Sequence, residues 1–343
     1  IKSLGATCVA VGTPYDAEFL PYLTIWVNAA RKAELAVWFR GNWSGWEGWF
    51  DYKKDLTPQS RLEKTISFIT SHPELFKDGD IFSPSVEPEN GGPFDPVDSF
   101  EKNTLLREYL ILEQLQVKEA FRTLGKKVNT TYVSLSGGVA RNLIDRQLLE
   151  VLDNTVTLDH YVSDPAGMEE YIRLFHEPYG ANIVFGEFGA PIPDLNGTMN
   201  EAEQASFVDA LLWELYLERH IVTGVNYWTL TESSTELLNS DGKAREVTKI
   251  IKKYYKPGKV RVKVEDSHSR AVHGILVTAH DGQAVEMTDK QGRAEMILPQ
   301  GTYTLKLSTA TGKSLEVPLT ISGGDVYDIK GVFELRADEL KNQ

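Results

Sequence analysis

Two glutamates at the ends of apolar runs are the residues most suited to chemistry in this chain. Glu87 lies in Ser-Pro-Ser-Val-Glu-Pro-Glu-Asn (83–90) and Glu187 in Ile-Val-Phe-Gly-Glu-Phe-Gly-Ala-Pro (183–191). Each follows what reads as a buried strand, where a structural carboxylate has little to do. Two carboxylates carried by strand ends into one cleft can break a glycosidic bond, one acting as acid or base and the other attacking the sugar. Gly186 and Gly189 flank Glu187, and glycines there admit a ligand or a neighbouring backbone. Pro88 predicts extended backbone for Glu87. Extended geometry would place Glu89 on the same side, so Glu89 is a rival acid/base. Glu87, nearer the strand, is preferred, with Glu89 and Asn90 as hydrogen-bonding or structural neighbours.

Aromatic residues form a second signal. Trp38, Trp43, Trp46 and Trp49 fall within twelve residues, the last three in a Gly/Ser/Asn-rich stretch after a strand. Such a loop can offer the faces of Trp43 and Trp46 to sugar rings, or pack on its own aromatics. Trp228 closes Gly-Val-Asn-Tyr-Trp (224–228) and is the better single candidate for a sugar platform. His160 and Tyr161 follow the run Thr155–Leu158 and can hold a carboxylate or a sugar hydroxyl, or form a structural pair. Arg40, at another strand end, can hydrogen-bond Glu187 and keep it ionised, or be a surface cation. No histidine pairing has metal-ligand spacing. P-loop, Rossmann glycine fingerprint and Gly-X-Ser-X-Gly elbow are all missing. The sequence thus indicates no metal and no cofactor.

The elements that must carry these residues alternate up to about residue 256. Strand-like runs are Thr7–Val11, Leu35–Phe39, Ile81–Phe82, Val128–Leu135, Thr155–Leu158, Asn182–Phe185 and Val222–Tyr227. They are short, β-branched or aromatic, and mostly without polar alternation, as strands covered on both faces of a parallel sheet are. Between them lie helical segments: Ala17–Ala33, Pro58–Thr70, Ser99–Leu124, Arg141–Leu152, Ala166–Phe175, Asn200–His220 and Ala244–Tyr255. The pattern predicts a (β/α)8 TIM barrel whose first β/α unit is missing from this chain, with another segment expected to complete it. An open doubly wound sheet is the alternative. The glutamates stand 100 positions apart across three βα units; about 33 residues per unit is close to the ~31 of a 250-residue barrel.

After Lys256-Pro-Gly-Lys259 the pattern becomes all β, with runs at Val260–Val264, Gly274–Ala279, Ala294–Leu298, Tyr303–Leu307, Leu315–Ile321 and Val326–Leu335. Turn signals separate them at about 8–12 residues, which predicts a small antiparallel sandwich. The expected division is 1–256 for the barrel and 257–343 for the sandwich.

Composition narrows the partners. The 343 residues are 41% hydrophobic and 25% charged, with net charge −13. That charge disfavours nucleic acid and anionic membranes and suits a neutral glycan. No run reaches the ~18 apolar residues of a membrane span. Cys8 is the only cysteine, which rules out an intrachain disulfide. Asn42, Asn129 and Asn196 open Asn-X-Ser/Thr triplets, which arise often by chance.

At these motifs the chain resembles the clan-A glycoside hydrolases, most of all the family-5 cellulase and mannanase type. Gly186-Glu-Phe-Gly189 is similar to that family's seventh-strand nucleophile segment, and Glu87-Pro88 to its fourth-strand acid/base. His160-Tyr161 resembles its sixth-strand pair, and Asn226-Tyr-Trp228 its eighth-strand tryptophan. The resemblance covers about residues 1–255 and departs at Val86, where the family has an Asn that contacts the substrate 2-hydroxyl. The last stretch looks like a carboxypeptidase-regulatory or transthyretin-like sandwich, an Ig-like accessory fold. The resemblance implies a retaining hydrolase of β-linked glycans with Glu187 as nucleophile and Glu87 as acid/base, extracellular or at the cell surface. The tryptophan loop hints at several sugar subsites and so at endo action, but could equally wall off a pocket. A carbohydrate-binding barrel without catalysis is the alternative, and a barrel enzyme of unrelated chemistry would not bring the two glutamates face to face.

Overall fold

The structure, a computed structural model, describes residues 1–44, 56–90, 92, 94 and 99–334. The chain forms two compact units, one of residues 1–2 and 6–246, the other of residues 3–5 and 247–343. Among the described residues no helix is long and apolar enough to cross a membrane.

The first unit runs β1 (Cys8–Val11), α1 (Leu20–Lys32), β2 (Ala36–Phe39), α2 (Pro58–Ser71), β3 (Ile81–Phe82), α3 (Phe100–Thr123), β4 (Ser134–Ser136), α4 (Gly137–Leu143), α5 (Arg146–Val151), β5 (Thr155–Asp159), α6 (Gly167–Tyr179), β6 (Asn182–Phe188), α7 (Pro193–Asn196), α8 (Glu201–Leu217) and β7 (Val222–Tyr227). Strands β1–β2–β3 form one parallel sheet and β4–β5–β6–β7 another. Parallel bridges Ile81–Asn129 and Val86–Ser134 join the two. The strands therefore follow one another in chain order. A doubly wound sheet would reverse that order at a switch point, so this alternative fails. Among the described residues no ladder joins β7 to β1.

Local chemistry explains the helices. Thr57 caps α2 by accepting from the Ser60 amide, and Pro58 opens it at a position with no donor to lose. Asn200 and Glu203 form a reciprocal capping box on α8. Gly180 ends α6 at φ 66°, a left-handed turn that glycine makes cheaply. The single helix expected over 141–152 is two, α4 and α5, because Asp145 accepts from the Leu148 amide and restarts the helix. The strand expected over 128–135 shrinks to Ser134–Ser136, with Asn129 as an isolated bridge. Behind β1–β3, Tyr15, Phe39, Phe68, Phe76, Phe82 and Phe121 fill the core with stacked and edge-on ring contacts.

The second unit holds α9 (Val247–Tyr255), β8 (Gly258–Asp266), β9 (Leu276–Ala279), β10 (Ala284–Met287), β11 (Arg293–Leu298), β12 (Gly301–Ser308), β13 (Ser314–Ile321) and β14 (Val326–Phe333). They make two sheets, β10–β9–β12–β13 and β11–β8–β14. Val260, Val262 and Val264 of β8 are buried between outward Lys259, Arg261 and Lys263. The all-antiparallel expectation fails at one place: β14 runs parallel to β8. Alternation sorts side chains between faces whatever the strand direction, so the pattern carries no information on it. Strand β10 was also unforeseen; Ala284 is its only buried residue.

Candidate active site

Strand β6 carries Glu187, and its pairing is irregular at that point. Leu158 opposes Phe185, but Asp159 opposes Glu187, which leaves Gly186 as the extra residue of a bulge. A Cβ on Gly186 would lie 2.4 Å from Asp159 Oδ1 and 2.6 Å from a terminal nitrogen of Arg40. A Cβ on Gly189 would lie 2.5 Å from the Trp228 carbonyl oxygen. Both glycines around Glu187 thus make room for packed neighbours.

Arg40, just past β2, lies among the carboxyls. It donates to Asp159 Oδ2 at 2.7 Å, to Asp159 Oδ1 at 3.3 Å and to Glu187 Oε1 at 2.8 Å. The Tyr161 hydroxyl donates to Glu187 Oε2 at 3.0 Å. Both Glu187 oxygens are therefore held, one by a cation and one by a phenol. Burial pulls the Arg40 pKa down, but Asp159 and Glu187 outweigh that and raise it, so the guanidinium stays charged.

Glu87 faces this group from the β3–α3 connection. Its amide donates to the Ser134 carbonyl at 3.0 Å, and its φ is 45°. The extended backbone expected from Pro88 is therefore wrong. Left-handed geometry also avoids the right-handed helical region that proline disfavours. It lets the chain turn through Pro88–Asn90, closed by the Asn90 amide on the Glu87 carbonyl at 2.8 Å. The Asn90 side chain donates to Glu87 Oε2 at 3.0 Å. Carboxylate oxygens of Glu87, Asp159 and Glu187 all lie within 4.8 Å of one another. That spacing could hold a cation, but Arg40 already occupies oxygens of Asp159 and Glu187.

The two glutamates differ in their partners. Burial, then the charges of Asp159, Glu187 and Glu89, pushes Glu87 up to about 8. Burial and Asp159 also raise Glu187, against the pull of Arg40 and Tyr161. Among the described residues only Glu187 of the two has a cation bonded to it, so it loses its proton first, and Glu87 is the carboxyl placed to keep one.

The other expected residues divide. Glu89 turns away: Oε1 accepts from the Ser136 amide at 2.6 Å, and burial raises its pKa. Trp228 is 43% exposed, and its amide donates to the Phe188 carbonyl at 2.9 Å, which places its backbone against the residue after Glu187. His160 packs on Tyr171 with ring centroids 3.7 Å apart. Its Nε2 is buried with no partner among the described residues, and burial together with Arg141 lowers its pKa to about 4. Unlike its neighbour Tyr161, it makes no side-chain bond to the glutamates among the described residues. Trp43 is a core residue: it is 7% exposed, packs edge-on against Tyr15 and Phe68, and donates to Thr65 at 3.3 Å. Its expected place on a sugar-facing surface is thus corrected, since the indole is enclosed by aromatic rings. Trp46 lies outside the described residues. Asp159 was missed. The one available signal was an acidic residue immediately following an apolar run, the feature that singled out Glu87 and Glu187.

Comparison with known proteins agrees at the level of fold. No family model and no curated protein matches this chain. A solved GH5-4 broad-specificity endoglucanase from Clostridum cellulovorans matches with TM-score 0.52 at 14% identity, over 73% of this chain and 82% of that one. A family 5 xyloglucanase from Paenibacillus pabuli matches with TM-score 0.50 at 12% identity, over 73% and 86%. The Bacillus anthracis TIE protein matches over only 23% of this chain and 16% of its own length, with TM-score 0.21. The first two likenesses are of fold alone, and they span about three quarters of this chain.

Proposed function

We propose that this chain is a retaining glycoside hydrolase acting on β-linked glycans. One observation carries the reading: Glu87 and Glu187 face each other with oxygens within 4.8 Å, and among the described residues only Glu187 of the two is bonded to a cation. That approach suits the ~5–5.5 Å carboxyl separation of retaining enzymes better than the ~6.5–9.5 Å of inverting ones. In this mechanism Glu187 attacks the anomeric carbon while Glu87 protonates the departing oxygen. Glu87, now ionised, then takes a proton from water as that water displaces the sugar from Glu187. Arg40 and Tyr161 hold the nucleophile in line, and the exposed Trp228 indole offers a face to a sugar ring. Endo cleavage and an extracellular or cell-surface location belong to the same proposal, with the second unit as an accessory sandwich.

Glu187→Gln is expected to lower kcat on aryl β-glycosides at least about a thousandfold with the melting temperature unchanged or raised. Near-normal turnover in that variant would sink the assignment. Val86, apolar where the resembled family has an amide, favours a second reading: a barrel that binds glycans without cleaving them. Oligosaccharide binding by the unaltered protein with no hydrolysis across defined β-linkages would favour that reading.

A further inference from the structure

One buried carboxyl has no part in the mechanism above. Glu113 lies in α3, 2% exposed, along a face that also buries Leu106, Leu110 and Val117. It accepts from the Tyr109 hydroxyl one turn earlier at 2.9 Å and from the Ser85 hydroxyl at 2.6 Å. Burial pushes its pKa up to about 7, opposed by those two bonds and by the buried Arg61 guanidinium. A carboxyl in such a place is costly to bury, and an apolar residue of its size would pack without that cost.

What the carboxyl holds is the segment that delivers Glu87. Ser85 is fully buried and stands two residues before Glu87. Between Phe82 and Glu87 the only strand pairing among the described residues is the Val86–Ser134 bridge. Ser83 ties the start of the segment, accepting from the Trp38 indole at 2.7 Å and donating to the Tyr132 carbonyl. Ser85 ties its far end. Glu87 itself sits at positive φ, and a non-glycine residue stays there only where its surroundings over-determine it.

Resting on the hydrolase reading above, we infer that Glu113 is a positioning residue: through Ser85 it fixes the aim of the Glu87 carboxyl and so the proton transfer to the leaving oxygen. The test is the leaving group. A 2,4-dinitrophenyl β-glycoside departs almost without protonation, whereas a phenyl β-glycoside needs it. The measurement is kcat/KM, which reports the glycosylation step alone. Ser85→Ala severs the tether and leaves Glu113 with Tyr109. It should lower kcat/KM on the phenyl glycoside about tenfold or more and on the dinitrophenyl glycoside by less than about twofold. Glu113→Gln must donate to one of the two hydroxyls it now accepts from, and should show the same asymmetry. A far-ultraviolet spectrum and melting curve check that each variant is folded. Equal losses on both substrates, or none, would overturn the positioning role while leaving the hydrolase reading intact. Wild-type protein inactive on every aryl glycoside would overturn both.

Discussion

At the scale of single residues, the site is a charge arrangement: one guanidinium, held by its own ion pairs, among three carboxyls. The sharing is unequal, and a pH dependence follows. The proposed cycle needs Glu187 ionised and Glu87 protonated, so kcat/KM should be bell-shaped. Its basic limb should fall as pH rises through about 8, where Glu87 gives up its proton. The charge of Asp159 is one cause of that high value. Asp159→Asn should therefore move the basic limb to lower pH, read from kcat/KM profiles of the two proteins. Stability falls in the same direction as pH rises. A carboxyl whose pKa is raised on folding binds more protons folded than unfolded between about 4.5 and 8. The contribution of Glu87 is thus lost progressively as pH rises through that window. Glu87→Gln should stabilise the fold by about 1–3 kcal/mol at pH 8, after allowance for partial exposure, with little change near pH 4. Thermal melts at the two pH values check this.

At the scale of elements, the decisive feature is the bulge in β6. Without Gly186 as an extra residue, Asp159 would pair with a different neighbour and Glu187 would leave its place beside Arg40 and Tyr161. Gly186→Ala should cost about 1–3 kcal/mol of stability, as overpacking of a filled site does, and turnover should fall about tenfold or more as the Arg40 pairs shift. Wild-type melting temperature and activity in this variant would mean that the close approach relaxes freely. These elements were legible to different degrees. The runs at 155–158 and 222–227 are short and rich in β-branched residues, and they reappear as β5 and β7. The run at 128–135 is of similar residue types yet pairs mainly at its end, because ladder formation depends on neighbours that periodicity does not describe. The left-handed turn at Glu87 was hidden for a similar reason: Pro88 excludes one backbone region without choosing between the remaining ones.

At the scale of the molecule, the net charge of −13 sets the long-range field. Approach of a neutral glycan should be nearly independent of ionic strength. An anionic glycan should be repelled, and its kcat/KM should rise as salt screens the field. Rates on matched neutral and carboxylated β-glycans from 0.01 to 0.5 M salt, on the order of those that take the Debye length from ~30 Å to a few ångströms, test this. A strong fall with salt on the neutral glycan would point to an unseen charged contact. The second unit shows the same division at larger scale. Its alternating runs were readable as strands, whereas the parallel pairing of β14 with β8 was not.

By itself the amino-acid sequence marked candidates for chemistry and most of the runs that become strands, since residue type, glycine placement and apolar periodicity are local properties. It marked Glu87, Glu187, Arg40 and Tyr161, and it set strands and helices in alternation. Only the tertiary structure decided that these four and Asp159 meet at one place, that Trp43 is core, and that Ser85 ties the Glu87 turn to Glu113. Those are distances between residues far apart in the chain, set by strand register and packing. A one-residue bulge changes them, and no local pattern in the sequence records where it falls.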